Sequence, residues 1–214
     1  MNISYNFITY IIYSVIGWLS EVTLYLVKKK RFVNRGFLIG PYCPIYGKGA
    51  MLVIFLLNRY LSEPLTLFIL SIAVCSFIEY SGSFILEKMF KTSWWDYSNK
   101  KFNINGRICL ETMIPFGLGC LVLMYAINPF VTKLLYLVPN NTMNIIALIV
   151  FVIYVLDYVI SLSIIIKFRN ISQNAKSDST EKVTEFVKKE ILKRKQVLYT
   201  RLIESFPNFK IRKK

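Results

Sequence analysis

Long apolar runs separated by short basic segments fill residues 1–166, and the chain then turns strongly polar over residues 167–214. Crossing a bilayer core takes about 20 mostly apolar residues per helix. The pattern therefore predicts spans over about 5–27, 45–61, 64–86, 108–127 and 143–166. The first stops abruptly at Lys28-Lys29-Lys30-Arg31, and Pro64 opens the third. The fourth stops before Asn128-Pro129. The segment Phe130–Val138 is apolar but too short to span, and Pro139-Asn140-Asn141 breaks it, which predicts an interfacial or extracytoplasmic loop. The segment Met1–Phe7 has no basic region and no small-residue cleavage site follows the run, so a retained first helix is expected. The expected fold class is an all-α integral membrane bundle of five helices, residues 1–166, with a basic cytoplasmic tail, residues 167–214.

Charge fixes an expected orientation. The loop 28–44 carries Lys28, Lys29, Lys30, Arg31 and Arg35, with Lys48 just inside the next span. The loop 87–107 carries Lys88, Lys91, Lys100, Lys101 and Arg107. The tail carries fourteen Lys and Arg, whereas the opposite side has only Arg59 and Lys133. Basic loops stay cytoplasmic, so a five-span arrangement puts the N-terminus outside and the C-terminus in the cytoplasm. Four or six spans would break that agreement.

In the tail, Asn170–Thr180 reads as a polar linker. Val183, Phe186, Val187, Ile191, Val197, Leu198 and Leu202 then recur at helical spacing, an amphipathic helix over 180–206. Glu190 and Arg194 interrupt its apolar face. Such a helix suits the anionic inner leaflet or a cytoplasmic partner.

Composition narrows the chemistry. The net charge of +15 belongs with 55% hydrophobic residues, so flanking of membrane spans explains it better than nucleic acid. There is no histidine, and Cys43, Cys75, Cys109 and Cys120 form no CxxC pair, so neither a metal site nor a cofactor is expected. Cys75 and Cys120 read as packing residues. Gly47-Lys48-Gly49 lacks the spacing of a nucleotide-binding loop, so the chain is not itself an ATPase.

A weak duplication runs through the apolar part. Asn34-Arg35-Gly36 precedes Pro44-Ile45-Tyr46-Gly47-Lys48-Gly49, and Asn105-Gly106-Arg107 precedes Pro115-Phe116-Gly117-Leu118-Gly119. Each copy follows a span with an internal acid, Glu21 or Glu79. Both would run the same way through the bilayer, as parallel two-helix repeats.

The same residues carry a resemblance. Gly17-Trp18-Leu19-Ser20-Glu21, Phe32-Val33-Asn34-Arg35-Gly36-Phe37-Leu38 with Gly40-Pro41-Tyr42-Cys43-Pro44-Ile45-Tyr46-Gly47, and Trp94-Trp95-Asp96-Tyr97-Ser98 leading to Asn105-Gly106-Arg107-Ile108 resemble the bacterial ABC-transporter type IV permease family. The resemblance covers about residues 5–166 and not the tail. It implies transport coupled to a separate ATPase, and it brings no catalytic or substrate-binding residues with it.

Four acids lie in or beside the spans: Glu21, Glu79, Glu111 and Asp157. At 1.5 Å per residue, Glu21 is roughly 10 Å from Lys28, Glu79 about 13 Å from Lys88, Glu111 about 6 Å from Arg107 and Asp157 about 15 Å from Lys167. A charge at such depth costs at least about 2.5–3.5 kcal/mol, so it marks function or a buried pair. Ser14, Gly17 and Glu21 share one face, as do Ser76, Glu79, Ser83 and Glu87, and Tyr154, Asp157, Tyr158 and Ser161. Turned inward, these stripes would line a substrate or ion cavity open to the cytoplasm. Alternatively, Glu21 and Glu79 pair with Arg35, Arg107 or Lys48 and tie the loops to the bundle. Trp18, Trp94, Trp95, Tyr97 and Tyr42 fit an interfacial aromatic belt, Asp96 fits a loop cap, and the prolines of Gly40-Pro41-Tyr42-Cys43-Pro44 suit a rigid re-entry turn.

The leading expectation is a membrane transport component, a small permease-like subunit that works as a homodimer or with an ATPase subunit. One alternative is a membrane-embedded enzyme on a lipid-linked substrate, with Glu21, Glu79 and Glu111 as acid and base groups. The lack of histidine and of a nucleophile motif argues against it. The other is a non-transporting scaffold or regulator whose tail binds a partner.

Overall fold

The computed structural model of the chain describes residues 3–173, 184, 185, 188, 197–207 and 209–211. Apolar sequence without an internal breaker gives α1, Ile3–Lys29. After Lys30 in the left-handed region and a loop, α2 runs over Pro44–Leu57, extended by a 3-10 turn at Asn58–Tyr60. Helix α3 is Pro64–Phe90 and ends, like α1, on a left-handed lysine, Lys91. Its loop holds β1 (Thr92–Ser93) and a hairpin of β2 (Asn103–Ile104) and β3 (Ile108–Cys109). Helix α4 (Leu110–Val122), a π turn (Leu123–Ile127) and α5 (Asn128–Tyr136) follow. Then come α6 (Asn140–Gln173), α7 (Val197–Ser205) and β4 (Lys210–Ile211).

Four stretches are long and apolar enough to cross a bilayer: Ile3–Lys29, Pro64–Phe90, Leu110–Tyr136 and Asn140–Ile166. The chain is thus an all-α membrane bundle, with α2 as its short fifth member. At 14 residues α2 is about 21 Å long, too short to cross alone. It starts not at the basic end of α1 but beside its middle, where Cys43 N–H donates to Ser14 C=O at 2.9 Å. Two glycines permit this approach. A Cβ on Gly17 would lie 2.2 Å from Tyr46 Cβ, and one on Gly47 would lie 2.2 Å from Ser14 Oγ. Small residues at crossings are what close helix packing in lipid uses. Residues 31–43 therefore re-enter the bundle as coil, and α2 covers the other half of the depth.

The chain does not stop at Asn128-Pro129, as the sequence pattern suggests; Phe130–Val138 is no loop over most of its length, because α5 carries on from α4. A proline in a helix removes one hydrogen bond and crowds the carbonyl four residues before it. The π turn widens the backbone just ahead of Pro129, where Asn128 N–H reaches back five residues to Leu123 C=O. Asn128 is also tied inward, its Oδ1 accepting Tyr13 O–H at 2.7 Å.

Helices α1 and α3 are both 27 residues long and each ends on a left-handed lysine. Helix α2 packs antiparallel on α1, and α4 on α3. At the end away from the basic loops, Ile8, Tyr13, Val53, Leu57, Leu67, Met124 and Met143 share one buried cluster. At the basic end a second cluster joins Phe90, Trp94, Ile164 and Ile165 to Leu202 and Phe209 of the tail. Asn170–Gln173, expected as linker, continue α6, while residues 174–180 lie outside the described residues. Of the expected 180–206 helix, Val197–Ser205 is α7. Much of the rest lies outside the described residues.

Candidate functional site

Helices α1, α2 and α3 bring Glu21, Tyr46 and Glu79 to the middle of the bundle. Glu21 Oε1 accepts Tyr46 O–H at 2.5 Å, and Tyr46 feels the charge of both acids. Phe116 of α4 closes the group edge-on, its ring centroid 6.1 Å from that of Tyr46. Arg35 reaches Glu21 from the re-entrant loop, with Nε 3.6 Å from Oε2. Its guanidinium also lies over the Tyr25 ring, 5.1 Å from the centroid, and donates to Ser205 C=O. Glu79 makes neither a hydrogen bond nor an ion pair among the described residues.

The two acids are not at equivalent places in the repeat. Glu21 lies nine residues before the left-handed Lys30, and Glu79 twelve before Lys91. Glu79 is thus nearly one helical turn, about 4.5 Å, deeper.

Asp157 belongs to a different arrangement. Its Oδ1 accepts Ile39 N–H at 2.9 Å and Ser161 O–H at 2.8 Å. Its Oδ2 accepts Gly40 N–H at 2.7 Å and Tyr42 O–H at 2.6 Å. Four donors fill the carboxylate and fix the re-entrant loop to α6. Asn34 fastens the same loop, accepting from Trp18 Nε1 at 2.6 Å and donating to Ile39 C=O at 2.7 Å.

Arg107 does not pair with Glu79. It binds Glu87 at 3.0 Å, both side chains being well buried, and lies over the rings of Tyr80 and Phe84. Proximity in the second loop decides this: Arg107 sits on the hairpin at the basic end, level with the last turns of α3. Glu111 is also outside the central group, since its carboxylate is exposed and meets Lys100 Nζ at 2.9 Å. Lys48 is exposed on α2 and makes no hydrogen bond or ion pair among the described residues.

The aromatic-belt reading fails for two residues. Trp94 is 3% exposed and packs edge-on against Phe37 and Phe206, while Tyr42 is buried against Asp157. Sequence reasoning missed Tyr46 and the Glu87 partner of Arg107. The signal for the first was an aromatic hydroxyl inside the glycine-flanked re-entry; for the second, an acid on the Glu79 stripe two turns nearer the basic loop.

Outside the spans, Asp96 caps its loop. Its Oδ1 accepts Ser98 N–H at 2.9 Å, and its Oδ2 meets Lys210 Nζ at 2.5 Å. Burial pushes the Asp96 carboxyl up, but these hydrogen bonds outweigh it and hold the pKa down at about 2. No group of three or more metal-ligating side chains occurs among the described residues.

The groups assembled at mid-depth are therefore two carboxylates, one phenol and one guanidinium, which suits binding of a polar or cationic species better than covalent catalysis. Neither the curated proteins nor the solved structures include a match to this chain. A family model described as "Putative ABC-transporter type IV" matches residues 8–162, which takes in α1 to α5 and most of the apolar length of α6. That stretch is more than two thirds of the chain, and the chain belongs to this ABC-transporter type IV family.

Proposed function

We propose that the chain is the permease-like subunit of a transporter driven by a separate ATPase, and that Glu21, Tyr46 and Glu79 form its substrate or ion site. The observation that carries this reading is Glu79. It is an acid at mid-depth in a span, within electrostatic reach of Glu21, yet with no hydrogen bond or ion pair among the described residues. Structural acids in this bundle are fully engaged, as Asp157 is. An ionisable group left without a partner inside a membrane is costly unless a ligand or water uses it. Arg35 would adjust the charge of the site through Glu21, and the exposed Lys48 would face a water-filled path or a second subunit.

The family supports an ATPase partner, and the small number of helices supports a dimer or a hetero-oligomer. The apolar helices support a membrane location, which we read as a bacterial plasma membrane, and the charge pattern supports an N-terminus outside with both basic loops and the tail in the cytoplasm. The tail, with fourteen basic and five acidic residues, would bind anionic lipid, and salt would weaken that binding.

The test is purification from native membranes with and without Glu79→Gln. Wild type should bring down an ATPase subunit whose turnover in vesicles depends on the chain. Glu79→Gln should keep the wild-type Tm, having no partner to lose among the described residues, and lower that turnover about tenfold or more, the usual scale for a removed binding charge. An unchanged turnover at unchanged Tm, or wild type without an ATPase, would refute the assignment.

A further inference from the structure

The re-entrant loop is held from both sides through one peptide group. The carbonyl of Leu38 accepts Arg201 Nη1 of α7 at 2.7 Å, and the amide of the same peptide, Ile39 N–H, donates to Asp157 of α6 at 2.9 Å. The next carbonyl back, Phe37, accepts Arg201 Nη2 at 3.0 Å, and the next amide on, Gly40 N–H, donates to Asp157 at 2.7 Å. A tail arginine and an intramembrane aspartate thus polarise one short piece of backbone from opposite ends. Such chains strengthen each other, and bonds to charged groups are the strong ones.

More of the tail is fastened to the same place. Ser205 O–H donates to Asn34 C=O at 2.5 Å, and Arg35 donates to Ser205 C=O. Phe206 lies 4.6 Å from Phe37 and 5.2 Å from Trp94, centroid to centroid. Leu202 and Phe209 are 1% and 2% exposed beneath them. Strand β4 then pairs with β1, and Lys210 binds Asp96 of the second loop. The loop itself has little regular structure: for residues 34–43 the backbone bonds outside helices are Tyr42 N–H to Gly40 C=O, Cys43 N–H to Ser14 C=O and Tyr46 N–H to Cys43 C=O. A segment with so few bonds of its own opens easily once outside supports are removed.

We propose that the C-terminal segment, α7 with β4, is a strap that holds the re-entrant loop seated, and that its release lets residues 34–43 leave the bundle and open the Glu21–Tyr46 centre from the basic end. The device is bistable in physical terms. Either Arg201, Ser205 and Asp157 all grip the loop, or the loop loses its main anchors together. The proposal concerns movement of the loop and stands whether or not the site carries a transported species.

Cys43 reports the movement without any engineered probe. Its thiol is buried in the loop and donates to Arg35 C=O at 3.3 Å. Cys120, in α4, is buried far from the strap against Cys75, with the sulfurs 3.5 Å apart. The experiment measures the rate of alkylation of each cysteine by N-ethylmaleimide, resolved by peptide mass spectrometry, on the full chain in membranes. In Arg201→Ala and, separately, in Asp157→Asn, Cys43 should react about tenfold faster or more, while Cys120 keeps its wild-type rate. An unchanged Cys43 rate in Arg201→Ala would overturn the strap, whatever Asp157→Asn does, since Asp157 belongs to α6 and not to the strap. So would Cys43 and Cys120 accelerating together, because α7 would then hold the whole bundle and not the loop.

Discussion

The two loops that follow α1 and α3 descend from one pattern and do opposite things. Residues 31–43 dive into the bundle, bind Asp157 at mid-depth and deliver α2 beside the centre of α1. Residues 91–109 stay at the basic end and fold on themselves. There Asn105 and Gly106 both take left-handed φ, 52° and 65°, in the three-residue connection between Ile104 and its strand partner Ile108, and Arg107 N–H closes the turn on Ile104 C=O at 3.0 Å. The arginines follow their loops. Arg35 is carried inward to Glu21, and Arg107 remains outside with Glu87, Tyr80 and Phe84. A loop with its own hairpin bonds needs no intramembrane anchor. A loop without them is held by groups elsewhere, and those groups can let it go.

The sharpest break of this comparison is at the arginines. Arg107→Gln removes a buried cation paired with Glu87, and losing one partner of a buried pair costs about 3–5 kcal/mol. We expect a large fall in Tm in detergent, restored in good part by adding Glu87→Gln. The corresponding Arg35→Gln should cost much less, because that pair is longer and more exposed. Equal losses would mean that the loops are not divided as described.

The glycines give a middle-sized contrast. Gly47→Ala would press its Cβ against Ser14 Oγ and the Tyr10 carbonyl, at 2.2 and 2.6 Å. Overpacking of this kind costs about 1–3 kcal/mol. Gly119→Ala, two residues beyond Gly117 in the second repeat, meets nothing within 4 Å and should leave Tm unchanged or raise it slightly. A harmless Gly47→Ala would deny the close α1–α2 approach.

The smallest effect concerns Asp96 and has a defined pH dependence. Its pKa is held down at about 2, below the ordinary aspartate value of about 3.9. The stability it lends to β4 is therefore present above about pH 4 and lost as pH falls through about 2. Pepsin cleavage of the tail should be slower in wild type than in Asp96→Asn at pH 4, and nearly equal in the two at about pH 1, below the folded-state pKa of about 2. A difference that persists undiminished at about pH 1 would show that the carboxylate charge is not what holds the strand.

Much of the fold was legible in the chain. Apolar runs over about 5–27 and 64–86, each followed by lysines, pointed to α1 and α3, since lipid leaves the backbone no alternative to internal hydrogen bonding. The hairpin around Asn105-Gly106 was not read from the sequence, which pointed to an all-α chain; the pair entered only as part of the repeat and family motifs. The Asn128-Pro129 pair misled, because the π turn that accommodates the proline costs little locally and is fixed by Tyr13 from another helix. Of the site, Glu21 with Arg35 was foreseeable, whereas the four donors around Asp157 come from residues more than a hundred positions away, except Ser161.

The sequence by itself determined that the chain is a basic-ended membrane bundle with acids in its spans. Hydropathy, helix length and charge placement are local properties, and the bilayer reads them span by span. Only the tertiary structure decided which acid is left without a partner, which arginine reaches which carboxylate, and that the tail grips the re-entrant loop. Those outcomes depend on depth and on distance across helices. A shift of three residues, less than one turn, separates Glu21, paired with Arg35, from Glu79, which has no partner among the described residues.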